Sequence, residues 1–195
     1  MLLLDLDGVL RGFHSFDDAE FGLAAGSVAD AAFSPELLTP AITGLVSHDR
    51  WLATVARELS GGAVSMSTAA AAVAAWSRPG YVITAALALV RAARVRCRVA
   101  LLTNATTRLP HDMALLGLDS EVDGVISSAE TGARKPEPEA YLAALALLDA
   151  TASATLFCDD SEDNVLAAQA LGFAAAHVPD TDSLRTALSV HGLLG

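Results

Sequence analysis

The chain has 195 residues, a net charge of −11 and 53% hydrophobic residues, much of that fraction being alanine. Its length fits one domain, or a core domain with a small second one, and its acidity argues against a nucleic-acid partner. No membrane partner is expected, because the longest strongly apolar helical stretch, residues 82–90, meets Arg91 well short of the ~20 residues a spanning helix needs.

The run Met1 to Leu4 reads as a short buried strand that ends in Asp5, Asp7 and Gly8. Asp5 interrupts the apolar start and no basic leader precedes it, so no signal peptide is expected. Residues 11–15 read as a loop. Residues 16–78 are alanine-rich and helical in pattern, with no convincing strand. The clearest helix there runs over 49–59, where Trp51, Leu52, Val55, Ala56 and Leu59 recur at helical spacing, and Gly61-Gly62 ends it. Ser67 or Thr68 is a candidate cap for a second helix over 69–76.

From Tyr81 the texture alternates. Helices are predicted over 82–94, 109–116, 138–148, 162–171 and 181–189. Strands are predicted over 99–102, 122–126, 154–158 and 173–177. Such alternation implies βαβ units around a doubly wound parallel sheet. The chain therefore divides into an α/β core over 1–15 and 79–195 and a helical segment over 16–78.

The polar punctuation falls at the predicted strand ends. Asp5 and Asp7 follow the first strand, Thr103-Asn104 the second, Lys135 lies in the loop after the third, and Asp159-Asp160-Ser161 follows the fourth. In a doubly wound sheet these ends share one crevice. Several carboxylates crowded there call for a cation, and hard oxygen ligands suit Mg2+. The basic residues are 12 in number and Lys135 is the only lysine among them. That position can be chance, or it can need a compact ammonium rather than a planar guanidinium.

Four stretches together resemble the motifs of the haloacid dehalogenase superfamily: Asp5-Leu6-Asp7-Gly8-Val9-Leu10, Leu101-Leu102-Thr103-Asn104, Lys135-Pro136, and Phe157 to Val165 around Asp159-Asp160-Ser161. The helical segment between the first two motifs is placed as in members with a small helical cap. A narrower likeness is to the sugar-phosphate phosphatases of that family and to the phosphatase domain of bifunctional epoxide hydrolases. The resemblance implies a Mg2+-dependent phosphatase acting on a small phosphorylated metabolite. Asp5 would be the nucleophile and Asp7 the general acid and base. Thr103, with Asn104 beside it, and Lys135 would bind the phosphate. The metal would be held by the Asp5 carboxylate, the Asp7 main-chain carbonyl and Asp160, with Asp159 the less favoured ligand. Asn164 stands where members often carry an acid. Dehalogenases of the superfamily lack the acid that Asp7 supplies, so phosphoryl chemistry is implied; phosphomutases share it.

Competing readings are a phosphomutase and a non-catalytic phosphate-binding protein on the same fold. Arg11, His14, His48, Arg50 and Trp51 are candidates to face the substrate, although Trp51 fits a core stripe and each histidine is more simply read as a surface residue. Two cysteines, Cys97 and Cys158, make no disulfide framework, which points to a reducing cytoplasm. An apolar face on the alanine-rich helices would support a homodimer.

Overall fold

The computed structural model describes residues 1–62 and 64–194. Its strands are β1 (Leu2–Leu4), β2 (Arg11–Gly12), β3 (Tyr81–Val82), β4 (Val99–Thr103), β5 (Gly124–Ser127), β6 (Leu156–Asp159) and β7 (Ala174–His177). Its helices are α1 (Ser27–Ala32), α2 (Pro35–Ile42), α3 (His48–Ser60), α4 (Met66–Trp76), α5 (Thr84–Arg94), α6 (Leu109–Leu116), α7 (Ser128–Thr131), α8 (Pro138–Leu147), α9 (Glu162–Ala170) and α10 (Thr181–Val190).

Five strands form one parallel sheet in the order β5-β4-β1-β6-β7. This is the doubly wound α/β arrangement, with the first strand central and two wings wound outward. Side chains alternate across the sheet as strand geometry requires. Leu2, Leu4, Val99, Leu101, Leu156 and Cys158 join one apolar cluster with residues of α5, α6 and α10. Leu3, Ala100, Leu102 and Phe157 join another with residues of α8 and α9. Burial on both faces explains why these strands read as unbroken apolar runs rather than as alternating ones.

Helices α1 to α4 carry a third apolar cluster of their own, built on Val28, Trp51, Val55, Ala72 and Val73. The chain leaves the sheet through β2 and returns through β3, and these pair antiparallel, Arg11 beside Val82 and Gly12 beside Tyr81. Both two-residue strands depart from the expected loop and from the helix predicted to begin at Val82; so short a ribbon has no sequence period. Gly80, at φ +84°, makes the approach possible, since a Cβ there would lie 2.3 Å from the Gly12 carbonyl oxygen.

Other boundaries also move. Helix α4 begins at Met66, because the Ser65 hydroxyl, not Ser67 or Thr68, accepts the Thr68 N–H. Strand β6 starts at Leu156, since residues 152–154 form a 3-10 turn. Strand β5 starts at Gly124 rather than Val122. No helix among the described residues is long and apolar enough to cross a membrane.

Candidate active site

The register of the central strands builds the site. Leu4 of β1 lies beside Leu101 of β4 and Cys158 of β6. The next residue out of β1, Asp5, donates its N–H to the Cys158 carbonyl. The end of β1 therefore sits between Thr103 at the end of β4 and Asp159 at the end of β6.

Lys135 reaches into this space from the loop before α8. Its ammonium lies 2.8 Å from Asp5 Oδ1 and 2.6 Å from Asp159 Oδ2, and the residue is 2% exposed. Burial alone would lower its pKa, but the Asp5 and Asp159 carboxylates outweigh it and hold the ammonium above its usual range. Asn104 fixes the loop that carries it. The Asn104 amide donates to the Lys135 carbonyl, and its oxygen accepts the Lys135 N–H, both at 2.8 Å. Asn104 was expected beside the phosphate; it borders the pocket, but both of its amide atoms serve the lysine loop.

Asp5 is buried and its Oδ1 also accepts the Leu6 N–H at 2.7 Å. Burial pushes its pKa up to about 7, against the pull of Lys135. Thr103 is 1% exposed, and its hydroxyl oxygen is buried with no partner among the described residues. Such an orphan costs about 1–3 kcal/mol, which a ligand oxygen would recover.

The carboxylates of Asp5, Asp159 and Asp160 come within 4.8 Å of one another. Their availability differs. Asp159 spends Oδ2 on Lys135 and Oδ1 on the Ser161 N–H and the Asn164 amide, at 2.8 and 3.0 Å. Asn164 thus holds Asp159 by a neutral donor where an acid would repel it. Asp160 keeps its carboxylate clear of side-chain hydrogen bonds among the described residues. It lies directly over Gly8, where a Cβ would fall 2.0 Å from its Oδ2; Gly8 has φ +77°. Only glycine combines that backbone with that clearance. Burial, then Asp159, raises the Asp160 pKa. A hard oxygen set with one uncommitted carboxylate fits Mg2+.

Asp7 is not in this cluster. Its two oxygens take the Arg11 guanidinium, Nε at 2.5 Å and Nη2 at 2.9 Å. Arg11 is 6% exposed and also meets Asp112 at 3.2 Å, which in turn meets Arg108 Nε at 3.0 Å. The sequence offered Arg11 as a substrate contact; the i, i+4 spacing from Asp7 was the signal for the ion pair, hidden by the expectation of a loop.

Asp5, Asp7, Thr103, Lys135 and Asp160 border one pocket of about 410 Å³. Asp7, Phe13 and Asn104 are shared with a second cavity of about 630 Å³ between the sheet and the helical segment. His14 and Trp51 border the larger cavity; Arg50 borders neither. Trp51 is also core, its indole N–H donating to the Ala32 carbonyl at 3.3 Å. His48 corrects the surface expectation. It is 6% exposed, and its Nδ1 meets the Thr106 hydroxyl at 2.8 Å, because α3 starts against the loop after β4. Neither cysteine joins the site; burial pushes the Cys158 thiol up to about 12.

A family model described as haloacid dehalogenase-like hydrolase matches residues 1–172. The sesquiterpene phosphatase of Aspergillus oryzae is 44% identical over 73 residues, 37% of this chain and 36% of that protein. The match thus spans about a third of that relative's length. An enzyme of the same family from Bacteroides thetaiotaomicron, solved as a magnesium complex, is 25% identical with a TM-score of 0.71, covering 89% of this chain and 90% of that one. The L-2-haloacid dehalogenase of Xanthobacter autotrophicus is 20% identical with a TM-score of 0.66, covering 100% of this chain and 84% of that one.

Proposed function

The chain belongs to the haloacid dehalogenase-like hydrolases, and on that premise we propose that it is a Mg2+-dependent phosphatase of a small phosphomonoester. The observation that carries this reading is the convergence on one pocket of the Asp5 carboxyl, the buried Lys135 ammonium and the orphaned Thr103 hydroxyl. The partial likeness to a phosphatase supports it.

Asp5 attacks phosphorus, and the bond from phosphorus to the alcohol oxygen breaks. Asp7, in its protonated form and no longer ion-paired with Arg11, gives its proton to that oxygen, so the alcohol leaves neutral. Asp7 then takes a proton from water, which attacks the aspartyl-phosphate, releases phosphate and restores the Asp5 carboxylate. Thr103 and Lys135 hold the phosphoryl oxygens through both steps. The residues that would hold Mg2+ are Asp5, Asp160 and the Asp7 carbonyl. When bound, the ion supplies positive charge against the phosphoryl oxygens. The helical segment acts as a cap that excludes bulk water from the intermediate.

Phosphate release from p-nitrophenyl phosphate and a panel of esters, in Mg2+ and in EDTA, tests the reading. Release is expected only with metal and only from protein that retains Asp5. Undiminished release by Asp5→Asn, or in EDTA, would contradict it.

A further inference from the structure

We propose that the phosphoester this site takes is that of a bulky, hydrocarbon-like alcohol rather than a sugar, with the carbon skeleton seated in the cavity under the helices. The proposal rests on the phosphatase reading. The first observation is room and position. The cavity of about 630 Å³ has space for roughly 20 water-sized groups, well beyond what a phosphate needs. It opens from the phosphate pocket at Asp7 and Asn104, where the leaving group of a bound phosphoester would project.

The second observation is the lining. Phe16, Phe33, Leu38, Ile42, Trp51 and Trp76 face the cavity from the helical side. Phe33 is 58% exposed, and it meets Trp76 edge-on with ring centroids 5.5 Å apart. An aromatic residue that has a packing partner on one side and open space on the other is a ready contact for an apolar ligand.

The third observation concerns the polar groups of the same wall, most of which are already spent within the protein, while His14, Arg78 and the buried His48 Nε2 keep no hydrogen-bond partner among the described residues. Arg11 is taken by Asp7 and Asp112. Arg108 is taken by Asp112 and the Ser77 carbonyl. The Asp18 carboxylate caps the Gly26 and Val28 N–H groups, and the Thr106 hydroxyl meets His48 Nδ1. A sugar carries a hydroxyl on nearly every carbon, more than the few unpartnered groups of this wall could satisfy, and the rest would lose their water without gaining a partner. A hydrocarbon meets no such penalty and gains about fourfold in affinity for each methylene buried.

The test is a series of straight-chain alkyl monophosphates, methyl to decyl, set against glucose and glycerol phosphates, with the wild-type protein in Mg2+. The kcat/KM is expected to rise with chain length by up to about fourfold per methylene, chiefly through KM, and to exceed that for either polyol phosphate. Both tryptophans of the chain border the cavity, so decyl phosphate should shift their fluorescence and inorganic phosphate should not. Ala29→Phe, which places a ring in the cavity, should narrow the decyl-to-methyl ratio at least tenfold. A flat chain-length series, or polyol phosphates turned over as well as decyl phosphate, would overturn the inference and leave the phosphatase reading standing. No release from any ester, p-nitrophenyl phosphate included, would sink both.

Discussion

Arg11 holds both oxygens of the Asp7 carboxylate, at 2.5 and 2.9 Å, while its remaining nitrogen meets Asp112 at 3.2 Å. The residue assigned as proton donor is therefore not free. It is oriented by a guanidinium fixed at the base of the β2–β3 ribbon, which carries the chain into and out of the helices. Arg11→Met should cost ~10–100-fold in kcat for esters of ordinary alcohols, since misplacing a catalytic group by about 1 Å has that effect. The loss should be much smaller for p-nitrophenyl phosphate, whose leaving group needs no proton. Equal losses on both substrates would place Arg11 elsewhere in the mechanism.

Lys135 separates two buried carboxylates at 2.8 and 2.6 Å. Lys135→Met leaves them facing each other without a cation, which should lower the unfolding free energy of metal-free protein by about 3–5 kcal/mol. Adding Asp5→Asn should return part of that loss. Urea melts of the two single variants and the double variant in EDTA measure the coupling.

Gly8 lets Asp160 approach because it has no Cβ and adopts φ +77°. Gly8→Ala should destabilise the fold by ~1–2 kcal/mol from the backbone alone. It should also weaken Mg2+ binding at least tenfold by displacing Asp160. Calorimetric titration with Mg2+ reads the second effect apart from the first.

His48 gives stability an acid dependence. Burial, then the charge of Arg108, lowers its pKa from 6.5 to about 4. Between those values the unfolded chain binds the proton and the folded chain does not, so stability falls as pH drops from about 6.5 toward 4. The full shift is worth about 3 kcal/mol. Urea melts at pH 7 and pH 4.5 should show wild type losing more stability than His48→Gln, by about 2 kcal/mol. Equal losses would remove His48 as the cause.

The fold and the cluster at the strand ends were legible because the two signals coincide. Apolar runs such as Met1–Leu4 and Val99–Leu102 end abruptly in Asp5 and Thr103, and a parallel sheet gathers those ends. What was hidden depends on partners far along the chain. His48 reads as exposed until Thr106, 58 residues away, takes its ring nitrogen. Asp112 drew no reading from the sequence, because the Arg11 guanidinium that meets it comes from 101 residues away. Helices α1 and α2 carried helical texture without boundaries, since Ser34-Pro35 separates them and Pro40 lies within the second. The cavity was not legible, because its walls come from both parts of the molecule.

The central claim is that Asp5 becomes phosphorylated during turnover. Rapid acid quench of the enzyme with substrate and Mg2+, followed by mass spectrometry of the N-terminal peptide, tests it most directly. One phosphoryl group on Asp5, absent in EDTA and absent from Asp5→Asn, is the expected result. Steady phosphate release with no adduct at any quench time, or an adduct on another residue, would contradict it.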